Sequence, residues 1–150
     1  MEIIRTQLRQ ADDLTKIALA AKRHWNYPEK WVQLWLPFLT ISPEYILEYE
    51  TWMAVTEGSP IAFYSLKQIG ENLWLDNLWV LPEYMRHEIG KGLFEHALER
   101  GRVRGVSVLR IEADPYAGGF YEKMGAHIIG ERRADVDGQP RVLPILEMRL

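Results

Sequence analysis

The feature that most constrains the fold is an apolar run that ends at a proline and is followed, after a short loop, by a helix start that contains glycines. Leu73 to Val80 is rich in apolar and aromatic residues, Pro82 closes the run, and Ile89-Gly90-Lys91-Gly92 begins a helical pattern. The first turn of a helix presents unbonded N–H groups and a partial positive charge. Glycine lets an anion approach that backbone closely. The segment therefore predicts a strand, a loop and a helix, with a loop suited to a pyrophosphate.

Two common phosphate-binding motifs do not fit this loop. A Walker loop requires a glycine at the position of Met85 and a Ser or Thr at the position of Gly92. The dinucleotide fingerprint requires a third glycine at the position of Glu95. A Gly-x-Gly pair alone is equally typical of close packing between a helix and a sheet. The ligand class therefore depends on what surrounds the loop.

Hydrophobic periodicity predicts the other elements. Two helical stripes, Leu14 to Trp25 and Trp31 to Phe38, follow an N-terminal strand, and Ser42-Pro43-Glu44 begins a short third helix. The predicted strands are Glu2 to Leu8, Thr51 to Thr56, Pro60 to Lys67, Leu73 to Val80, Val106 to Ile111, Ala126 to Glu131 and Val142 to Leu150. The helices of the second half are Gly90 to Arg104 and Pro115 to Met124.

This order of elements predicts the fold class. It indicates one α/β (α+β) domain over residues 1–150, with a mixed, mostly antiparallel sheet of about seven strands flanked by helices. Pro144 interrupts the last predicted strand, which favours an edge position or a bulge there, because proline has no N–H for the ladder.

Composition excludes several classes of function. The formal net charge of -3 provides no positive field for nucleic acid, and no apolar run is long enough to span a bilayer. Because the chain has no cysteine, disulfides, zinc–thiolate sites and acyl-cysteine chemistry are excluded. His87, His96 and His127 lack the spacing of a helical metal site. We expect a cytoplasmic protein with no metal and no nucleic-acid or membrane partner.

A second motif follows one predicted strand after the first. It runs from Asp114 to Ala126 and contains Phe120-Tyr121-x-x-x-Gly125. Together, the two segments resemble the GNAT family, the GCN5-related N-acetyltransferases that use acetyl-coenzyme A. Leu78-x-Val80-x-Pro82 is similar to the family's pantetheine-binding strand, and the resemblance covers residues Thr51 to Gly130.

The resemblance implies that the chain binds acetyl-CoA as a co-substrate. Met85 and Glu88 replace the loop's usual Arg or Gln and its first Gly, and Asp114 replaces an Asn that contacts pantetheine. Glu88 places a negative charge near the phosphates, which neighbouring cations would offset. The implied binding residues are Leu78, Trp79, Val80, Met85, Arg86, His87, Glu88, Ile89, Gly90, Lys91, Gly92, Asp114, Ala117, Phe120 and Tyr121.

The implied reaction is direct attack of an amine on the thioester in a ternary complex. The resemblance makes Tyr121 the acid that protonates the departing thiolate. Backbone N–H groups around Trp79 and Val80 would polarise the carbonyl, provided that a strand bulge frees them. Asp76 or Glu112 would accept the proton of the amine, although a solvated surface carboxylate is the more ordinary role for each.

The acceptor is expected to be a primary amine of a small molecule or peptide, and the weakly acidic composition favours a cationic one. His24, Trp25, Tyr27 and Glu29 lie where the family places its acceptor wall. With Trp31 and Trp35 they would form an aromatic cage for a cation, or the aromatic residues would be core stripes of two helices.

Other functions remain open. Because Met85 and Glu88 depart from the family pattern, a non-catalytic acyl-CoA-binding sensor or a protein-interaction module is the alternative to an enzyme. The resemblance also implies that two copies of the chain could form a homodimer through their last strands.

Overall fold

Seven strands form one sheet in the order β1-β2-β3-β4-β5-β7-β6 in the computed structural model, which describes residues 1–150. The strands are β1 (Glu2–Arg5), β2 (Glu50–Thr56), β3 (Ser59–Ile69), β4 (Asn72–Val80), β5 (Val108–Glu112), β6 (His127–Arg133) and β7 (Val142–Arg149). The helices are α1 (Ala11–His24), α2 (Glu29–Leu39), α3 (Pro43–Glu48), α4 (Ile89–Val103) and α5 (Gly118–Lys123).

Strand pairing is antiparallel throughout except between β4 and β5, which are parallel. Helix α4 is the crossover between these two parallel strands, as parallel pairing requires a long connection. The predicted single α/β domain with a mixed, mostly antiparallel sheet of about seven strands is confirmed.

The sheet separates two hydrophobic cores. On one face, α1, α2 and α3 pack on the strands through fully buried side chains such as Leu14 and Phe63. On the other face, α4 and α5 pack through Phe94 and Leu93. Each fully buried side chain of this size stabilises the fold by roughly 1.5–3 kcal/mol. The sheet between these cores is therefore a rigid support for any residue at its surface.

β4 and β5 are paired over only three residues of each strand. Leu73 to Leu75 lie opposite Leu109 to Ile111, and beyond this point the two strands have no ladder between them. β4 also contains a bulge at the point of divergence, because Ser65 of β3 lies opposite Asn77 whereas the next residue lies opposite Leu75. The extra residue is Asp76. The strands therefore open a cleft with a bulge at its apex.

The prediction for Pro144 is wrong about the edge position. β7 lies between β5 and β6, and β6 is the edge strand. Pro144 is tolerated inside the sheet because it lies just beyond the residues that β7 pairs with β5. Its carbonyl accepts the Ala113 N–H at 2.9 Å, and the shift of register falls nearby in β6, between Ile128 and Gly130.

A buried carboxylate ties the start of β2 to the end of α4. Glu50 accepts hydrogen bonds from Arg100, from Arg104 Nη2 at 2.9 Å and from Trp52 Nε1 at 2.8 Å. Burial alone would raise the pKa of the Glu50 carboxyl, but these three donors lower it to about 2. Glu50 therefore stabilises the fold in its ionised form.

We predict that Glu50→Gln weakens the pH dependence of stability. A carboxyl with a lowered pKa contributes stability that is complete above its unfolded pKa of 4.5 and is lost as the pH falls towards 2. After a discount for solvent screening, the difference in unfolding free energy between wild type and variant should shrink by about 1 kcal/mol from pH 6.5 to pH 3.5. Denaturant unfolding at the two pH values measures it.

The control is Glu48→Gln, which removes an exposed carboxylate that makes no ion pair. It should leave the pH dependence unchanged. Equal behaviour of the two variants would show that Glu50 does not carry the effect.

Candidate active site

A narrow cleft opens where β4 and β5 diverge. We call this space of about 250 Å³ the strand cleft. Its walls come from the second half of β4, the end of β5, the start of α4, and α5. The lining residues include Trp25, Leu78, Val80, Met85, Gly90, Ala117, Phe120 and Tyr121. The walls are mainly apolar, which suits a long flexible arm with few charges.

A second cavity of about 730 Å³, which we call the wide cavity, lies on the α2 side of the sheet. Its lining includes Lys22, Leu34, Trp35, Phe38, Tyr45, Lys67, Arg132, Arg141 and Leu143. The two cavities share six lining residues: Asp76, Asn77, Trp79, Glu112, Ala113 and Asp114. Two ligands that enter from opposite sides would therefore meet at the divergence of β4 and β5.

The start of α4 presents unbonded backbone donors beside the strand cleft. The N–H of Gly92 donates to the Glu88 carbonyl at 3.1 Å, whereas the N–H groups of Ile89, Gly90 and Lys91 have no acceptor in the chain. No side chain caps the helix. These three donors and the helix dipole can bind phosphate oxygens.

The loop before α4 keeps its shape despite its sequence. Glu88 has φ of 58° and ψ of 15°, the left-handed conformation that favours glycine, so the substituted residue occupies the backbone geometry of a glycine. Met85 lines the strand cleft, Ile89 is buried in the core, and Arg86, His87 and Lys91 are exposed. The loop therefore retains an anion-binding geometry, with a carboxylate beside it.

The backbone of β4 supplies donors to the strand cleft, but not both of those expected. The Leu81 N–H donates to the Ile61 carbonyl of β3 at 2.9 Å. Alternate residues of an antiparallel strand point their N–H groups to opposite sides. The Trp79 N–H therefore points towards β3, while those of Leu78 and Val80 point to the open side. The expectation that the Trp79 N–H polarises the thioester carbonyl is therefore corrected. The register of the ladder leaves the Leu78 N–H open for that role.

Tyr121 lies at the base of the strand cleft on α5. It is 6% exposed, and its ring packs edge-on against Phe94 and Phe120 at centroid distances of 5.5 and 5.1 Å. Its hydroxyl has no hydrogen-bond partner in the chain. Burial raises the pKa of the Tyr121 phenol above its ordinary value. The phenol is therefore protonated at neutral pH and available as a donor.

Asp76, at the bulge, is the more suitable of the two predicted bases. Its Oδ2 accepts a hydrogen bond from the Tyr45 hydroxyl, and it makes no salt bridge. Tyr45 is fixed by Ser65 Oγ at 2.8 Å and by Asn77 Nδ2 at 3.1 Å. Glu112, by contrast, is paired with Arg132 at 2.6 Å. Asp76 is therefore the carboxylate at the shared wall that has no cationic partner.

Asp114 is held in a buried ionic cluster, which we call the Asp114 cluster. Its carboxylate accepts from Lys22 Nζ at 2.7 Å, Arg141 Nη2 at 2.8 Å, the Tyr27 hydroxyl at 3.0 Å and the Tyr116 N–H at 2.9 Å. Burial alone would raise the pKa of Asp114, but Lys22 and the other donors hold it below its usual value. These contacts occupy the carboxylate that the resemblance assigned to pantetheine.

The predicted acceptor wall is rearranged. Trp25 lines the strand cleft instead, stacked on Tyr116 with ring centroids 5.3 Å apart. His24 and Glu29 are exposed and line neither cavity, because α1 ends at His24 and Glu29 pairs with Arg23 at 2.7 Å. Tyr27 belongs to the Asp114 cluster. The assignment of His24 and Glu29 to this wall therefore finds no support in the geometry.

The expected aromatic cage contains cations of the chain itself. Lys22 Nζ lies 4.2 Å from the Trp35 ring centroid, and Arg141 Cζ lies 4.7 Å from it. Sequence reasoning missed both cations. Lys22 had a detectable signal, because it follows Leu14 and Ala18 at a spacing of four residues on the buried stripe of α1. Arg141, 27 residues after Asp114, had none.

Two other features are absent. No group of three or more His, Cys, Asp or Glu residues is arranged to hold a metal ion. None of the five helices has the length and apolarity needed to cross a bilayer.

The sequence is similar to known acetyltransferases. Residues 11–126 match the model of the acetyltransferase (GNAT) family. A peptidyl-lysine N-acetyltransferase of Salmonella typhimurium, YjaB, is 34% identical over 106 residues, which is 70% of this chain and 68% of that protein.

Solved structures agree in fold. A GCN5-related N-acetyltransferase from Rhodopseudomonas palustris superposes with a TM-score of 0.84 at 20% identity, covering 99% of this chain and 95% of that one. The PaiA N-acetyltransferase of Thermoplasma acidophilum, in complex with coenzyme A, gives 0.80 at 22% identity, covering 99% and 98%. With a family match over most of its length and a cleft between diverging parallel strands, this chain belongs to the GNAT acetyltransferase family.

Proposed function

We propose that the chain transfers an acetyl group from acetyl-CoA to a primary amine of a small molecule or peptide, by direct attack in a ternary complex. The observation that carries the proposal is the shared wall between the two cavities. Asp76 stands at this wall, where a thioester in the strand cleft and an amine in the wide cavity would come together. The CoA complex of PaiA and the peptidyl-lysine activity named for YjaB support the two substrate classes.

The chain's groups match the parts of acetyl-CoA. The unbonded N–H groups of Ile89, Gly90 and Lys91 suit the pyrophosphate, and the exposed side chains of Arg86 and Lys91 add positive charge in the same segment as Glu88. The apolar strand cleft suits the pantetheine arm. The open N–H group of Val80 on β4 supplies a hydrogen-bond donor for that arm.

Acetyl-CoA supplies an activated acyl group on a thiol leaving group. Asp76 accepts a proton from the ammonium form of the acceptor, which frees the lone pair for attack. The Leu78 N–H group stabilises the negative charge that develops on the thioester oxygen. Tyr121 donates its proton to the departing sulfur. Because the chain has no cysteine, the amine attacks directly and no acyl-cysteine forms.

Two further assignments belong to this proposal. A cytoplasmic location fits, because the reaction needs a compartment that supplies acetyl-CoA. A homodimer through the last strands fits the free edge of β6, where Ile128 is 54% and Ile129 51% exposed. Light scattering of the purified chain tests the dimer.

The alternative function is a non-catalytic acyl-CoA sensor, and Tyr121→Phe separates the two. We expect acetyl-CoA to bind the variant with unchanged affinity by calorimetry, while kcat for CoA release falls by roughly 10²-fold, because the donor to the sulfur is removed. Tyr49→Phe, which alters a tyrosine that lines neither cavity, is the control. Full activity of Tyr121→Phe would remove its proposed role, and no amine-dependent turnover in the wild type would favour the sensor.

The choice of base predicts a difference between two isosteric variants. Asp76→Asn should lower kcat/KM by at least about 10-fold with an ammonium acceptor, because it removes the proton acceptor at the shared wall. Glu112→Gln should have a smaller effect, because that carboxylate is already paired with Arg132. Steady-state kinetics on the two variants decides it, and the reverse order would make Glu112 the base.

Replacement of Glu88 by glycine should increase both the affinity for acetyl-CoA and the stability of the fold. Glu88→Gly removes a charge near the pyrophosphate and a left-handed non-glycine residue, so the Kd for acetyl-CoA should fall by about 3- to 10-fold and the unfolding free energy should rise by about 1 kcal/mol. Glu88→Gln removes only the charge and should improve affinity without the gain in stability. Calorimetry and denaturant unfolding measure the two effects, and unchanged affinity in both variants would contradict a nearby pyrophosphate.

A further inference from the structure

The Asp114 cluster carries more positive than negative charge in a buried place. Lys22 and Arg141 share the single carboxylate of Asp114, so the three side chains have a net charge of +1. Their side chains are only 8%, 11% and 8% exposed. An excess charge with so little contact with water is costly unless a counter-charge arrives. The cluster therefore has the electrostatics of an incomplete anion site.

Donors remain available in this cluster. Arg141 uses Nη2 for both of its side-chain bonds, to Asp114 and to the Tyr27 hydroxyl at 3.0 Å. Its Nε and Nη1 have no acceptor, and neither is sealed away from solvent. Lys22 Nζ donates to Asp114 alone. Both residues line the wide cavity, and the Trp35 ring beneath the two cations fixes their positions.

The other charges of the wide cavity leave this excess uncompensated. Three of its carboxylates are paired with cations, Glu112 with Arg132, Asp135 with Arg133 and Asp137 with Lys30. Lys67, another lining cation, has no carboxylate partner and lies against the Tyr49 ring. Asp76 is the lining carboxylate without a cation.

We propose that the wide cavity selects an acceptor that carries an anionic group, a carboxylate or phosphate, on the same small molecule as its primary amine. The inference rests on the proposed function and specifies its substrate class. The ammonium group pairs with Asp76, and the anionic group pairs with the free donors of Arg141 and Lys22. Exposed apolar side chains, Leu34 and Phe38, line the same cavity and suit an apolar remainder. A free amino acid with an apolar side chain has this chemistry.

A polyamine or a lysine inside a peptide fits less well. Either brings only positive charge or neutral amides to the Asp114 cluster, and leaves its excess charge without a counter-ion. The positive charge of the Asp114 cluster therefore opposes cationic acceptors, although the acidic composition of the whole chain favours them.

The kinetic test compares acids with their amides. CoA release is measured with L-phenylalanine and L-phenylalaninamide, with L-leucine and L-leucinamide, and with spermidine and a blocked lysine peptide. An aminoalkyl phosphonate distinguishes a carboxylate site from a phosphate site. We expect kcat/KM for each acid to exceed that for its amide by at least about 10-fold, a difference of about 1.4 kcal/mol.

The variants assign the preference to the cluster. Arg141→Gln should reduce the preference for acid over amide to within about 2-fold, whereas Arg141→Lys should retain part of it. Arg149→Gln is the matched control, because that arginine is exposed, makes no salt bridge and does not line the wide cavity. It should keep the full preference.

A binding measurement gives a result without turnover. N-acetyl-L-phenylalanine and its amide are titrated into the wild type and Arg141→Gln by calorimetry, without acetyl-CoA. Tighter binding of the acid to the wild type, lost in the variant, supports the inference even if no acceptor in the panel reacts. Equal binding, or faster turnover of amides, spermidine or peptide, overturns it and leaves the proposed function intact if acetyl-CoA still binds. Failure of acetyl-CoA to bind overturns both.

Discussion

The rest of the site depends on the incomplete pairing of β4 with β5. The two parallel strands share a ladder only from Leu73 to Leu75, and the bulge at Asp76 lies where the ladder ends. If the pairing continued, β5 would occupy the N–H groups of Leu78 and Val80, and the two cavities would be closed off from each other. The gap persists because α4 and α5 on one face and α1 to α3 on the other support the strands independently. A defect in the sheet thus creates both the binding cleft and its polar lining.

The polar residues around this gap differ in charge and in exposure to solvent. Burial raises the pKa of the Tyr121 phenol, whereas Asp76 is exposed at the surface of the shared wall. The Asp114 cluster lies beside them. Its salt bridges connect Lys22 of α1 and Arg141, just before β7, to Asp114, just after β5. It positions the elements around the wide cavity. Its excess positive charge gives that cavity a preference for an anionic group on the acceptor, which the acidic composition of the whole chain does not predict.

Much of the site could be predicted where its function depends on local sequence. The loop before α4 and the segment with Phe120 and Tyr121 each form one continuous stretch, so their spacing identified the family and the co-substrate. Glu88 adopts the left-handed conformation that favours glycine, so the departure from the family pattern at this position does not prevent a glycine-like backbone. The acceptor side could not be predicted in this way. His24 and Glu29 have suitable chemistry and the expected position along the chain, yet both are exposed, because the packing of α1 and α2 decides which way each side chain faces.

The sequence by itself determined the class of fold and the order of elements, because these depend on periodicity. Its short fixed spacings also identified the family, and the resemblance to that family supplied the expected phosphate loop and the expected role of Tyr121. Tertiary structure decided which N–H groups of β4 are open, which of two carboxylates lacks a cation, and that Lys22 and Arg141 meet at Asp114. Lys22 and Arg141 are separated by more than a hundred residues. Contacts between such distant residues depend on how the strands diverge and how the helices pack, and neither is encoded in a local pattern.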